Sequence, residues 1–287
     1  TRPQTSKNSR KLPDRGATWP SKIKWFAKSS GTTNSRSKYI PVTNESLEDC
    51  HYAAGKDLLC MYFNNNPNSQ LFTGKSLRLG GSKTPYEKNG TFYGDLSAIL
   101  IDNMPFWAEF SSTPSNKTSL MEDWNYKIDA IINETKSENV TSLAGVPSWM
   151  LVLLNRILKE TNTNQICEVW PNIEVYFHGG VSFKPYLNQY KKLIGKDDMR
   201  YYEIYNASEG FFAIQYENNS DELLLMLDYG IFYEFIDMDK YGTNEERVIS
   251  LADVKLDTNY AILITTNAGL WRYKIGDTVK FTSLNPY

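Results

Sequence analysis

Few residues of this sequence are of the types that bind transition metals. It has three cysteines and two histidines among 287 residues. Cys50, Cys60 and Cys167 do not have the CxxC or CxxxC spacing that a structural zinc site needs, and neither histidine has a second ligand residue at a suitable spacing. We therefore expect no zinc. So few cysteines, odd in number, predict a reducing compartment and a cytoplasmic protein.

An excess of charge of either sign is also absent. Lys and Arg number 31 and Asp and Glu 33, which gives a net charge of -2, so no basic field favours a nucleic-acid partner. No apolar run approaches the roughly 18 residues of a membrane span, and the first residues do not form a signal-peptide pattern. With 41% hydrophobic and 14% aromatic residues, the composition predicts a globular protein of one large or two modest domains.

The middle of the chain alternates apolar segments of strand length and of helix length. The predicted segments, in the order strand, helix, strand, helix and strand, are 140–144, 147–158, 173–177, 186–193 and 201–205. Consecutive parallel strands require a crossover, which is usually a helix. The alternation therefore predicts an α/β fold with a parallel sheet flanked by helices.

The parts of the chain on either side have other patterns. Residues 1–18 are polar and broken by proline and glycine, which predicts an exposed lead-in, and 19–287 are expected to form one large domain. A helix is expected from an Asn44 N-cap to about Tyr62, and strands with turns over 71–107. The remaining expectations are a helix at 121–136 and antiparallel hairpins with strands at 223–227, 231–236, 260–266 and 270–275.

A hydroxyl-rich loop lies between two short predicted strands, 23–27 and 39–42. Its residues 29–38 are SSGTTNSRSK. Small residues let the backbone approach an anion, and hydroxyls with successive N–H groups can surround phosphate oxygens. The glycine and lysine are misplaced for a GxxxxGK[ST] P-loop. The loop therefore indicates either a phosphate site of another kind or a plain Ser/Thr-rich hairpin.

Two further segments carry residues suited to a nucleotide. The segment YNASEG follows a strand predicted to be parallel, and ligands of open α/β sheets bind at such carboxyl ends. There, Tyr205 can stack on a purine and Glu209 can hold a Mg²⁺ that bridges phosphates. In the segment WRYKIGD, Asp277 can accept hydrogen bonds from a ribose diol, while Arg272 can neutralise phosphate or pair with a surface acid. Taken singly, each segment is equally consistent with an ordinary turn.

Taken together and in this order, the three segments resemble the ATP-binding signatures of the adenylate-forming superfamily, which includes acyl-CoA synthetases, luciferases and nonribosomal peptide adenylation domains. Residues 265–277, TTNAGLWRYKIGD, are similar to a stretch of one branch, the Gretchen Hagen type acyl acid–amido synthetases. These auxin-responsive enzymes are known from auxin and jasmonate conjugation in plants and have bacterial relatives. The similarity extends from about Trp19 over most of the chain, includes FHGG at 177–180 and GVP at 145–147, and has a bacterial character.

The resemblance implies a role for each segment. The implied nucleotide-binding residues are Ser29, Ser30, Gly31, Thr32 and Thr33 at the phosphates, Tyr205, Asn206 and Ala207 at the adenine, Asp277 at the ribose, and in addition Ser208 and Arg272. Glu209 would bind Mg²⁺. The residues implied for the acyl substrate are Val146, Phe211, His178 and Gly179. The family's catalytic lysine lies in a mobile C-terminal domain, which this chain is expected to lack, so no catalytic residue is assigned within it.

The activity that the resemblance implies is that of a ligase using ATP and Mg²⁺. A carboxylic acid would be adenylated and its acyl group transferred to an amino acid, with formation of an amide and AMP. A thioester-forming acyl-CoA ligase and a non-catalytic nucleotide-binding module remain alternatives, because the sequence has no recognisable acceptor site. The expected partners are a small carboxylic acid and an amino acid, with neither nucleic acid nor membrane. Residues 34–37 stand where the superfamily usually has a glycine before its lysine, which leaves the role of Lys38 open.

Overall fold

The computed structural model describes residues 19–20, 22–29, 38–81, 86–88 and 90–287, so the predicted lead-in 1–18 and loop residues 30–37 lie outside the described part. The strands are β1 (Trp25–Ser29), β2 (Lys38–Val42), β3 (Lys75–Leu79), β4 (Tyr86–Lys88), β5 (Thr91–Gly94), β6 (Ser112–Thr113), β7 (Val140–Gly145), β8 (Val175–Gly179), β9 (Arg200–Ala207), β10 (Gly210–Ile214), β11 (Leu224–Leu225), β12 (Ile231–Asp237), β13 (Val248–Ser250), β14 (Asn259–Thr266) and β15 (Tyr273–Lys280). The α-helices are α1 (Asn44–Ser46), α2 (Ala53–Asn65), α3 (Leu96–Asp102), α4 (Phe106–Phe110), α5 (Asn116–Ser119), α6 (Trp124–Thr135), α7 (Pro147–Thr161), α8 (Ile166–Val169) and α9 (Leu187–Ile194). A π-helical segment, Leu47–Tyr52, joins α1 to α2.

Strands of the described residues form one large central sheet, in the order β11-β10-β9-β8-β7-β3-β6. From β6 to β9 each strand runs parallel to its neighbour, whereas β10 and β11 are antiparallel. In register, Ala144 lies beside Phe177, and Phe177 beside Tyr202. The parallel sheet that the strand–helix alternation predicts is confirmed.

Two four-stranded sheets accompany the central one. The first has the order β2-β1-β5-β4, and the second, here called the C-terminal sheet, has the order β13-β12-β14-β15. Every pair of neighbours in the C-terminal sheet is antiparallel, as expected from its hairpin pattern. None of the helices in the described residues has the length and hydrophobicity needed to cross a bilayer.

The side chains of the central sheet alternate between two faces, and each face has its own core. On the first face, Phe177 packs in a cluster with Tyr62 of α2 and Ile262 of the C-terminal sheet. On the second face, Tyr176 packs with residues of α6, α7 and α9, among them Leu154. Both faces are therefore covered, as parallel sheets require.

The prediction of strands and turns over 71–107 is wrong for two segments. Helix α3 and the first two residues of α4 lie within it. The buried side chains of α3 are Ala98, Ile99 and Ile101, and a helix of two turns with neighbouring apolar residues does not show the three- and four-residue spacing that identifies longer helices. The helix N-cap also differs, because Thr43, not Asn44, accepts the backbone N–H of Ser46 at 3.0 Å.

The predicted hairpin between 223–227 and 231–236 is also wrong. Strand β11 pairs with β10, where Leu225 lies opposite Ala213, while β12 pairs with β13 and β14. Gly230, at a φ of +66°, lies in the connection where the chain passes from the central sheet to the C-terminal sheet. Each strand finds its partner on an existing sheet edge, and local sequence does not specify which edge is available.

Lys127 of α6 is fully buried beneath the segment that follows β3. Its Nζ donates hydrogen bonds to the carbonyl oxygens of Gly80, at 2.7 Å, and Gly81, at 3.0 Å. The N–H of Gly81 donates to Ser97 Oγ at 2.8 Å. Burial lowers the pKa of Lys127 to about 8. The ammonium group therefore holds this backbone segment in place while remaining poorly solvated.

Replacing Lys127 by methionine tests this arrangement. The pKa of Lys127 falls from 10.5 to about 8 on folding, so between these values the unfolded chain binds more protons and wild-type stability rises with pH. The variant lacks this titrating group. The difference in free energy of unfolding between wild type and variant should therefore be ~1–3 kcal/mol larger at about pH 10 than at about pH 7. Urea denaturation of both proteins measures it, and a difference that does not change with pH would contradict the expectation.

Candidate functional site

Strands β7, β8 and β9 end at the same edge of the central sheet, with Gly145, Gly179 and Ala207 as their last residues. A side chain at Gly179 would have its Cβ 2.6 Å from a carbonyl oxygen of β9, so only glycine fits there. Gly180 follows at a φ of +82°, which lets the chain turn sharply away. This carboxyl edge is where open α/β sheets bind their ligands.

Glu209 lies at this edge in the two-residue turn that joins β9 to β10, where Ala207 is opposite Gly210. Although a turn glutamate is normally solvated, Glu209 is only 8% exposed. Burial raises the pKa of its carboxyl group above the ordinary value. A desolvated carboxylate at a ligand-binding edge is typical of a functional site.

Asp277 reaches the same edge from the C-terminal sheet. Three residues, Ile275–Asp277, lie opposite the single residue Ile262 of β14, and Gly276 within this bulge has a φ of +107°. Bulges redirect side chains, and here Asp277 Oδ2 accepts a hydrogen bond of 2.7 Å from the Tyr205 hydroxyl. Two of the three sequence signatures therefore meet through a direct hydrogen bond.

Lys38 and Tyr273 complete the group. Lys38 Nζ donates to the Tyr273 hydroxyl at 3.2 Å and lies 5.4 Å from the centre of its ring. Burial raises the pKa of Glu209, and its own backbone N–H, the Tyr273 hydroxyl and the charge of Lys38 partly offset this effect. We call Lys38, Tyr205, Glu209, Tyr273 and Asp277 the edge cluster.

Of the residues predicted to surround phosphates, Ser29 lies in the described part of the chain. It is the last residue of β1 and pairs with Lys38 across the β1–β2 hairpin. This pairing places the start of the hydroxyl-rich loop next to the edge cluster. The other four residues predicted for the phosphates, which lie outside the described residues, are Ser30, Gly31, Thr32 and Thr33.

The residues predicted to border adenine, 205–207, lie together at the carboxyl end of β9, and Ser208, also predicted to bind the nucleotide, lies in the following turn. The ring of Tyr205 is 4.9 Å from that of Phe212. A Cβ on Gly179 would lie 3.1 Å from Asn206 Oδ1, so the Asn206 amide covers the end of β8. The location of these residues agrees with the expectation, and their contact with a purine stays a prediction.

The residues predicted for the acyl substrate are divided between the two faces of the sheet. His178 is buried on the second face with its ring 3.9 Å from that of Phe183, and burial lowers its pKa to about 3. Phe211 is buried in the first-face core. Val146 and Gly179 lie at the sheet edge between them. Consecutive strand residues point to opposite faces, so the side chains of His178 and Phe211 lie on opposite sides of the sheet. Contact of these four residues with an acyl group stays a prediction.

Arg272 makes an ion pair outside the edge cluster. Its Nε and one terminal nitrogen each donate to the Glu234 carboxylate at 2.9 Å. Of the two roles expected for Arg272, the structure contains the surface ion pair. A contact between Arg272 and phosphate stays a prediction.

A Mg²⁺ ion that bridges phosphates needs only one or two protein carboxylates, because phosphate oxygens and water supply the other ligands. Across the described ranges, no three His, Cys, Asp or Glu side chains are grouped as a protein-only metal site. Glu209, a buried carboxylate beside Asp277 in the edge cluster, fits the single-carboxylate arrangement.

Tyr273 is a site residue that the sequence reasoning missed. It lies in the RYKIGD segment, in which the sequence predicts roles for Arg272 and Asp277. Tyr273 is half-buried and its pKa is raised by burial. Alternation along β15 was the available signal, because Tyr273 must point away from the face of Lys274.

Solved structures show the class of fold. The 2-hydroxyisobutyryl-CoA ligase in complex with 2-HIB-AMP and CoA has a TM-score of 0.54 at 11% identity, over 90% of this chain and 52% of that chain. AtGH3.15 acyl acid amido synthetase in complex with 2,4-DB has a TM-score of 0.76 at 17% identity, over 93% of this chain and 55% of that chain. The fold is that of the adenylate-forming enzymes.

Within this class the family follows from sequence. The GH3 family N-terminal domain matches residues 14–199, and the GH3 family central domain matches residues 224–286. The chain belongs to the GH3 family. Indole-3-acetic acid-amido synthetase GH3.4 of Arabidopsis thaliana is 26% identical over 193 residues, which are 62% of this chain and 30% of that protein. The chain spans about half the length of the two solved relatives.

Replacing Glu209 by glutamine tests the electrostatics of the edge cluster. Folding raises the pKa of Glu209. When the pH rises above the pKa that Glu209 has in the unfolded chain, the folded state binds more protons than the unfolded state. The ionised carboxylate therefore destabilises the free protein. The variant should therefore be more stable than the wild type at pH 8, by on the order of 1 kcal/mol, and the gain should vanish in acid. Urea denaturation at both pH values measures this, with the exposed Glu222→Gln as control. An unchanged or lower stability of the Glu209 variant at pH 8 would oppose this account.

Proposed function

We propose that the protein is an ATP-dependent ligase that adenylates a carboxylic acid and transfers the acyl group to an amino acid. The observation that carries the proposal is the meeting of Tyr205, Glu209 and Asp277 at the carboxyl edge of the sheet, in a chain of the GH3 family. The relatives named as acyl acid or indole-3-acetic acid amido synthetases support the amide product.

In the proposed reaction, a carboxylate oxygen of the acid attacks the α-phosphorus of ATP, and the bond to pyrophosphate breaks. The amine nitrogen then attacks the acyl carbon, the bond to AMP breaks, and the amine proton passes to water. No side-chain nucleophile is needed, so catalysis rests on positioning and on neutralisation of charge. Asp277 would hold the ribose hydroxyls and Tyr205 would stack on the adenine. Both side chains are held in place by their mutual hydrogen bond.

Glu209 would hold a Mg²⁺ ion, which would supply neutralisation of phosphate charge. Lys38 would stand at the end of the phosphate loop, with its ammonium oriented by Tyr273. The loop residues 30–33 would donate hydrogen bonds to phosphate oxygens from hydroxyl and backbone groups.

Residues 19–287 would act as one nucleotide-binding unit. Support comes from the first-face core, which includes Tyr62 and Phe177 of the N-terminal family domain and Ile262 and Phe281 of the central one. A cytoplasmic location and a bacterial source belong to the same proposal. The three cysteines are free thiols, which suits a reducing compartment.

The direct test is ATP–pyrophosphate exchange with a panel of carboxylic acids. Exchange should depend on one class of acid. Asp277→Asn should raise the KM for ATP about ten-fold or more, the effect of a lost charge-assisted hydrogen bond. The exposed Asp239→Asn is the matched control. ATP binding without exchange for any acid would favour a non-catalytic nucleotide-binding module instead.

The acceptor is tested by product analysis after exchange is established. Reactions with amino acids should give amides detectable by mass spectrometry, and reactions with coenzyme A should give no thioester. Thioester formation without amide would contradict the acceptor named here and leave the adenylation step intact.

A further inference from the structure

Arg78 lies on β3, close to the carboxyl edge of the central sheet. Its neighbours Leu77 and Leu79 are buried in the second-face core. By alternation, Arg78 points to the first face. In register it stands beside Ala144 of β7, which in turn stands beside Phe177 of β8. Arg78 therefore lies on the same face as Gly179, and the two backbones are separated by two strand spacings, roughly 10 Å.

The Arg78 guanidinium has no anionic partner in the described part of the chain. One terminal nitrogen contacts Met104 Sδ at 2.7 Å, and Nε is buried without a hydrogen-bond partner. Burial lowers the pKa of Arg78 to about 10, so the side chain is a cation at neutral pH. A thioether sulfur is only a weak acceptor, so it does not replace the hydration that the guanidinium loses on burial. The unpaired Nε leaves a hydrogen-bond donor for an anion.

The acidic and phenolic groups near Arg78 in the described residues do not pair with its guanidinium directly. Tyr52 of the π-helical segment is close, but its hydroxyl donates to the carbonyl oxygen of Leu100 at 2.9 Å. Glu109 of α4 acts on Arg78 only through its field, and its carboxylate accepts a hydrogen bond of 2.8 Å from Asn116 Nδ2. Glu48 acts on Tyr52 and not directly on Arg78. Among the charged groups of the described residues, Glu109 is the one that acts on the guanidinium without a direct hydrogen bond to it, and an incoming anion would compete with its field.

We propose that Arg78 binds a substrate carboxylate other than the one that is adenylated. The planar guanidinium matches a carboxylate through two parallel hydrogen bonds. The inference rests on the proposed function and deepens it. Arg78 shares a face and an edge with the end of β8, so its partner is the far end of a dicarboxylic acid or the α-carboxylate of the acceptor amino acid. Both sources present the same chemistry.

Exchange kinetics separates the two sources, since exchange involves no amine. The acids are the α,ω-dicarboxylic acids from succinate to suberate, each paired with the monocarboxylic acid of equal chain length. If the acid supplies the carboxylate, one length of diacid should be preferred, and Arg78→Met should raise its KM about ten-fold or more while the KM for monoacids stays unchanged. If the amino acid supplies the carboxylate, Arg78→Met should leave exchange unaffected. In amide formation the variant should then have a higher KM for amino acids and an unchanged KM for amino acid amides.

Three further measurements exclude a merely structural role. Arg78→Met should raise the melting temperature, because it removes a buried unpaired charge, while a structural residue would lower it. Arg78→Lys should retain part of the carboxylate preference. Glu109→Gln should lower the KM for the preferred carboxylate by removing a competing charge.

The proposal is overturned if Arg78→Met prefers diacids over monoacids, and amino acids over amino acid amides, as strongly as the wild type does. It is also overturned if Arg78→Met only destabilises the protein. If the wild type shows no exchange with any acid, the proposed function fails by itself. Calorimetric titration of the same diacids and amino acids into wild type and Arg78→Met then decides whether the carboxylate site exists, with equal affinities counting against it.

Discussion

The parallel register of β7, β8 and β9 is the constraint on which the rest of the molecule depends. Because these strands run in one direction, their glycine-rich ends and the Glu209 turn come to one edge. The C-terminal sheet then packs on the first face through a shared core. That packing brings Asp277 within hydrogen-bond distance of Tyr205. Two sheets of different topology thus build one site.

Charged groups are held in poorly solvated positions at or near this edge. Glu209, Arg78 and Lys127 all have pKa values displaced by burial in the direction that disfavours the charged form. Lys127 donates hydrogen bonds to two carbonyl oxygens and so stabilises the backbone at Gly80 and Gly81. Among the described residues, neither Glu209 nor Arg78 forms an ion pair with an oppositely charged side chain. Charges left incompletely compensated in a folded protein are typical of sites that await a ligand.

Much of the fold was accessible from sequence because its signals are local. The alternation of strand and helix segments predicted the parallel sheet, and the hairpin pattern predicted most of the C-terminal sheet. The failures concern partners and short elements. Strand β11 joined β10 and not β12, and α3 has too few apolar residues to show a helical period. Strand pairing is decided by which sheet edge is available, and that information lies far away along the chain.

For the site, the sequence by itself determined the residue types and the three signatures that carry them. The tertiary structure alone decided which of these residues meet. Lys38 and Tyr273 are 235 positions apart and Tyr205 and Asp277 are 72 apart, so only packing brings them into contact. It also decided that Glu209 is buried, that His178 points to the second face and that Arg78 has no anionic partner in the described residues. Burial and pairing depend on the sum of non-local contacts, and no local pattern encodes that sum.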